Sequence, residues 1–105
     1  MLSQFRTYKI AVEFHHSVRS VTLPFYLRDQ LLRASSSIAL NLGEGSSKPT
    51  RKDQLKFYHI ALASLRECQA GLDLEPRPMP ELIQQADRLG AHLYRLCNSQ
   101  IGSLR

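Results

Sequence analysis

The stretch Leu31–Ser47, LLRASSSIALNLGEGSS, decides how this chain is read. Leu31, Ala34, Ile38 and Leu42 recur at steps of three and four, the spacing of one face of a helix. Between them stand Ser35, Ser36, Ser37, Asn41 and Gly43, small or polar residues where a core wants leucine. Ser35, Ala39 and Gly43 share a second face at i, i+4 and i+8, and the lack of bulk there lets another backbone come close. A leucine stripe on one side and a small-residue strip on another describe a helix with several neighbours.

Working outward, three more helical patterns flank this one. Before it, the spacing predicts a helix from about Gln4 to Arg19, with a stripe of Phe5, Tyr8, Val12 and His15 and with Ala11 and Val18 alongside. The quoted helix itself runs from about Pro24, since proline suits a first helical turn, to Gly45. Gly45–Pro49 breaks the pattern, and Thr50 begins the third helix, with Asp53 three residues on in the manner of a capping box. Its stripe is Leu55, Tyr58, Leu62, Leu65 and Leu72, ended by the proline-rich loop Glu75–Pro80. The fourth helix spans about Pro80 to Ile101, with a seam of Leu82, Ala86, Leu89, Leu93 and Leu96. No strand pattern remains. The expected fold class is all-α: an antiparallel, up-down-up-down four-helix bundle, with residues 1–105 forming one domain.

Ala61, Ser64, Cys68 and Gly71 form a small-residue strip on the third helix, expected to meet the Ser35, Ala39 and Gly43 face of the second. The third helix is also apolar on another side, through Phe57, Ile60 and Ala63, which asks for partners that include other copies of the chain. Asn41, Glu44, Ser64 and Glu67 make a polar motif, for which at least one hydrogen bond across the two helices is expected, because unpaired buried polar groups cost several kcal/mol. The competing reading leaves Glu44 and Glu67 as solvated helix residues.

Composition narrows the function classes. No stretch approaches the ~18–20 apolar residues of a membrane span. The N-terminal segment lacks the pattern of a signal peptide, so a cytoplasmic protein with no membrane role is expected. Cys68 and Cys97 lie in helical patterns without CxxC spacing, and reduced thiols are expected. The formal net charge is +5, and residues 1–66 hold ten Lys and Arg against four Asp and Glu, while residues 67–105 hold four against five.

Two motifs together carry a resemblance to a known family. The pattern S-I-x-x-N-I-x-E-G is met by Ser37, Ile38, Asn41, Leu42, Glu44 and Gly45, and F-x-x-I-A-x-x-S-x-x-E by Phe57, Ile60, Ala61, Ser64 and Glu67. With the basic loop between them, they resemble the four-helix-bundle proteins of the 23S rRNA intervening-sequence family. Leu42 departs from the usual Ile, and Ala63 stands where a Gly commonly precedes the motif serine. The match is close over the second and third helices, loose over the first, and limited to apolar spacing in the fourth. The resemblance implies a four-helix bundle that assembles as a homopentamer. It also implies a distant similarity to the basic, pentameric, nucleic-acid-binding accessory variability protein of diversity-generating retroelements. The family's ribosomal-protein label does not make this chain a ribosome component.

Three function classes follow. The first is a non-enzymatic oligomer that binds RNA or DNA backbone through Arg28, Arg33, Lys48, Arg51, Lys52 and Lys56; the last four lie within nine residues beside a helix N-terminus, a setting that suits phosphates. Ser46, Ser47 and Thr50 offer hydroxyls, and no aromatic interleaves the loop to stack bases, so little sequence preference is expected. The plain alternative is a solvated loop kept soluble by its lysines. The second class is a protein–protein scaffold or adaptor with an acidic partner. The third, an enzyme, finds little support: His15, His16, His59 and His92 have no ligand spacing, and GEGSSKPT (Gly43–Thr50) lacks the phosphate-loop spacing. No catalytic residue, metal or cofactor is expected.

Overall fold

The computed structural model describes residues 2–98, with side chains from Arg6 onward. It contains α1 (Leu2–Ser20), α2 (Phe25–Ser46), α3 (Arg51–Leu74) and α4 (Pro80–Asn98). This is the all-α four-helix bundle expected, with helix starts and stops within two residues of those predicted. Two expectations, a last helix reaching Ile101 and a stripe including the Phe5 side chain, lie outside the described residues.

Each helix packs against the next and α4 returns to α1, while the diagonal pairs make no close approach among the described residues. Neighbours meet end to opposite end. Gly45, near the end of α2, lies against Tyr58 near the start of α3, and Gly71, near the end of α3, lies against Leu27 and Leu31 near the start of α2. Arg51 at the start of α3 reaches the Leu96 carbonyl late in α4, and Gln85 early in α4 donates to Ser17 late in α1. Local chemistry sets the boundaries. The Thr50 hydroxyl accepts the Asp53 backbone N–H at 3.1 Å and so caps α3. Pro76 and Pro78 cannot extend α3, and α4 resumes at Pro80.

The leucine stripes of α2 and α4 are buried at every expected position: Leu27, Leu31, Ala34, Ile38 and Leu42, then Leu82, Ala86, Leu89, Leu93 and Leu96. On α3, Tyr58, Leu65 and Leu72 are buried, and Leu55 and Leu62 half-buried. The α1 expectation needs correction. Its buried stripe is Thr7, Ile10, Ala11, Phe14 and Val18, while Tyr8 is 41% exposed and Val12 and His15 are half-buried. The helix is turned so that Phe14 and Ile10 enter the core, where their larger apolar surface has more to gain than Tyr8 and His15, whose polar atoms need partners.

The packing of the small residues is also corrected. The α3 strip meets the leucines of α2: a Cβ placed on Gly71 would lie 3.1 Å from Leu31 Cδ2 and 3.4 Å from Leu27 Cδ1. Large side chains fill the space that small ones leave, which is how an interior reaches close packing. The small face of α2 turns towards α1. Ser35 is fully buried there and meets the His15 Nδ1 at 2.7 Å, and Gly43 stays exposed, with Tyr8 its nearest neighbour. The close approach of α2 to α3 occurs at Gly45, where a Cβ would lie 2.7 Å from the Tyr58 ring.

Candidate functional site

The polar motif centres on a residue that the four-residue reading left out. Ser37 and Ser64 join α2 to α3 through their hydroxyls, 2.9 Å apart. Asn41 Nδ2 donates to the Ser37 carbonyl at 2.9 Å and to Ser37 Oγ at 3.1 Å. The expected cross-helix hydrogen bond therefore forms from Ser64, but to Ser37, and Asn41 joins it one step removed. Glu44 and Glu67 take no part: both are exposed, and Glu44 pairs with Lys48 at 3.0 Å. A carboxylate at either position keeps its hydration by facing water, which costs less than burial. Ser37→Ala removes the shared hydroxyl and leaves Ser64 without its cross-helix partner. It is expected to cost about 1–2 kcal/mol in denaturant unfolding, with the helices retained by circular dichroism.

The six candidate cations fall into different settings. Arg28 and Arg33 stand near the start of α2, roughly 20–30 Å along the helix from Lys48 at 1.5 Å per residue. Arg33 is held by Asp29 at 2.6 Å, and Arg28 lies 3.4 Å from the Arg19 carbonyl. They do not join the cluster at the α2–α3 turn. Within that cluster, Arg51 is half-buried and donates to the Leu96 carbonyl at 2.7 Å, tying down the carbonyl end of α4, where a cation complements the helix dipole. Lys48 and Lys56 flank the ring of Phe57, with Nζ 5.2 and 5.9 Å from its centre, an arrangement that the quadrupole of the ring favours. Lys52 and Lys56 are exposed. The α3 N-terminus is already served by Thr50, and Asp53 in its first turn opposes an incoming anion.

The fold adds cations that chain order kept apart. Because neighbours are antiparallel, the start of α1 and the end of α4 stand at the same end as the α2–α3 turn. Among the described residues Arg6, Lys9, Lys48, Arg51, Lys52, Lys56 and Arg95 share that half, with Arg88 at the midpoint of α4, against Glu44 and Asp53. The other half holds Arg19, Arg28, Arg33, Arg66 and Arg77 against Glu13, Asp29, Glu67, Asp73, Glu75, Glu81 and Asp87. The bundle is thus strongly basic in one half and slightly acidic in the other. Partial burial, then the charges of Arg95, Arg88 and Arg6, hold the His92 imidazole below its ordinary value. Arg6, Arg88 and Arg95 are the residues that chain position could not bring together; a helical wheel of α4, which aligns 88, 92 and 95, was the available signal.

His15 is half-buried with Ser35 as its partner, and burial followed by the charges of Arg19 and His16 lowers its pKa. Cys68 and Cys97 are free and buried. Burial, then the Glu67 charge, pushes the Cys68 thiol up to about 12, which leaves it protonated at neutral pH and a poor nucleophile. Burial also raises the Cys97 thiol, against the pull of Arg51. Among the described residues no three of His, Cys, Asp and Glu are placed to hold a metal ion, and no helix is long and apolar enough to cross a membrane.

A second surface concerns assembly. Phe57 is half-buried against Gly45 of α2, while Ile60 and Ala63 on the same side of α3 are exposed. Leu40 on α2 is 71% exposed. Ser37 beside Ser64 and Gly45 beside Phe57 fix the register of the pair, which puts Leu40 and Ile60 at the same level.

No curated protein and no solved structure matches the chain. A family model described as 23S rRNA-intervening sequence protein matches residues 3–77. That span runs from α1 to the loop after α3; it includes both sequence motifs and the Ser37–Ser64 link, and leaves α4 outside. With well over half of its length so matched, the chain belongs to the 23S rRNA-intervening sequence protein family.

Proposed function

We propose that the chain is a non-catalytic, self-assembling cytoplasmic protein whose basic half holds the phosphate backbone of RNA or DNA. The observation that carries this reading is the segregation of charge along the bundle: among the described residues one half holds seven cations against two acids, Glu44 and Asp53. Such a surface attracts a polyanion and gains from the release of its counterions. Lys52 and Lys56 are the exposed contacts at the turn, with Arg6, Arg88 and Arg95 on the adjoining α1–α4 side. Arg51 acts chiefly as a tie to α4, and Arg28 and Arg33 stand outside this surface. Phosphate contacts of this kind position a duplex or strand without reading its sequence.

Assembly as a homopentamer is what the family resemblance implies, and the exposed Leu40, Ile60 and Ala63 give α2 and α3 an apolar surface to bury against a further copy. A ring would multiply the basic surface fivefold.

Light scattering of the purified protein, alone and with a generic RNA and DNA at low and moderate salt, tests both parts. The expected result is an assembly several times the 12.0 kDa chain that binds either nucleic acid at low salt and releases it as salt rises. A monomer would contradict self-assembly. An assembly indifferent to both nucleic acids at low salt would contradict the binding role and favour the scaffold reading, in which the same basic half docks an acidic protein.

A further inference from the structure

The other end of the bundle carries a different surface. Phe25 and Tyr26 are the first two residues of α2 and are 84% and 64% exposed. Arg28 follows Phe25 by three residues, so the two are neighbours on the helix surface. Arg28 and Arg19 line a groove of about 310 Å³ between the end of α1 and the start of α2. Residues 20–22 also line a second groove of about 630 Å³, together with Arg77, Met79, Glu81 and Leu82. Arg77 donates to the carbonyl of Thr22, a residue that lines both grooves. Arg19 and Arg28 therefore stand at the first groove, with the exposed Phe25 ring next to Arg28 on the helix surface. Of the nearby acids, Asp29 is taken by Arg33 and Glu75 is turned onto Arg77.

We propose that this end is a stacking platform for single-stranded nucleic acid, with Phe25 and Tyr26 taking unpaired bases and Arg19 and Arg28 taking the adjoining phosphates. The combination is the one that binds single strands: aromatic faces stack on any base, and a cationic groove follows the backbone. A duplex presents no unpaired face to the rings. A protein partner fits less well, because anchor residues of protein interfaces sit among apolar neighbours that exclude water. Here the residues next along α2 include Arg28, Asp29 and Gln30, and the groove beside them is lined by Arg19, Ser20, Thr22 and Arg28 as well as by Val21 and Leu23. The proposal rests on the nucleic-acid-binding reading and adds to it a preference for unpaired strands, at the end opposite the basic half.

The test is fluorescence anisotropy with a labelled single-stranded RNA and a labelled RNA duplex of equal length, using the full chain. The double variant Phe25→Ala, Tyr26→Ala is expected to weaken single-strand binding at least about tenfold and to leave duplex binding unchanged. Tyrosine emission, which the chain's lack of tryptophan leaves clear, is expected to be quenched by unlabelled single strand in the wild type and less so in Tyr26→Phe. Both side chains are largely outside the core, so the variants are expected to fold, which circular dichroism checks. Equal loss of both ligands, or no loss of either, overturns the proposal while leaving the basic-half reading in place. A changed assembly size with unchanged RNA binding overturns it in favour of a contact between copies. A wild-type protein that binds neither RNA overturns both readings.

Discussion

Gly45→Ala is expected to lower the thermal midpoint of unfolding, and Gly43→Ala, two residues away on the same helix, to raise it. The two glycines look alike in sequence, and both lie within α2. At Gly45 a Cβ would stand 2.7 Å from Tyr58 Cε1, 3.0 Å from Cδ1 and 3.1 Å from Phe57 Cβ. Tyr58 is fully buried, so its ring has no free space to move into, and Phe57 Cβ moves only with the α3 backbone. Such overpacking costs about 1–3 kcal/mol. Alanine returns up to about 1 kcal/mol of helix propensity, which does not offset it. At Gly43 the only near atom is Tyr8 Cε1 at 4.0 Å, an ordinary contact, and the residue is exposed. The propensity gain of about 0.5–1 kcal/mol is then unopposed. A difference of about 2 kcal/mol between the variants corresponds to roughly 10 °C in midpoint for a domain of this size. Equal midpoints would mean that α2 and α3 do not approach each other as described at Gly45.

The second large effect concerns binding. Lys52→Glu with Lys56→Glu is expected to weaken RNA binding roughly 10–100-fold at low salt, because two attractive charges become repulsive. If each lysine meets one phosphate, the slope of log affinity against log salt falls by about two. Both side chains are exposed at the start of α3, so the stability of the bundle is expected to change little. The structure supplies the contrasts. Arg33→Ala should leave affinity nearly unchanged, since that guanidinium is held by Asp29 in the other half of the bundle. Arg51→Ala acts differently again: it removes the donor to the Leu96 carbonyl and so should show first in stability. If all four cations contribute equally to the slope, the division of the candidate residues between the two halves is wrong.

Much of the fold is legible in the sequence. The second and fourth helices carry leucine at regular steps of three and four, and burial follows that pattern without exception. The first helix offers no such series. Phe, Tyr, Val, Ile and His recur on adjacent faces, and only the packed bundle shows that Ile10 and Phe14 enter the core while Tyr8 stays outside. Gly45 reads as a helix breaker because glycine is one in isolation; its place inside α2 comes from Tyr58, which needs the missing side chain's space. The small strip of α3 was visible, but residue sizes do not say which neighbour they admit, and leucines of α2 fill the space rather than another small strip. Both family motifs were legible, and Ser37 stood in the first of them. Its link to Ser64 depends on the register of two helices, which neither motif contains.

Charge shows the same limit. Counting along the chain assigns the basic character to residues 1–66, whereas the fold concentrates it in one half of the bundle and adds Arg95 there, with Arg88 at its edge. Phe25 and Tyr26 lie off the leucine stripe of α2, and nothing in the sequence distinguishes their exposed rings from packed ones.

The most direct test of the central claim is the affinity of the wild-type protein for a labelled RNA measured across a salt series. A basic half that neutralises phosphates predicts tight binding at low salt and a linear fall of log affinity with log salt, with a slope near −0.9 per phosphate contact on a duplex and about −0.7 on a single strand. Binding that is absent at low salt, or that does not change with salt, would contradict it.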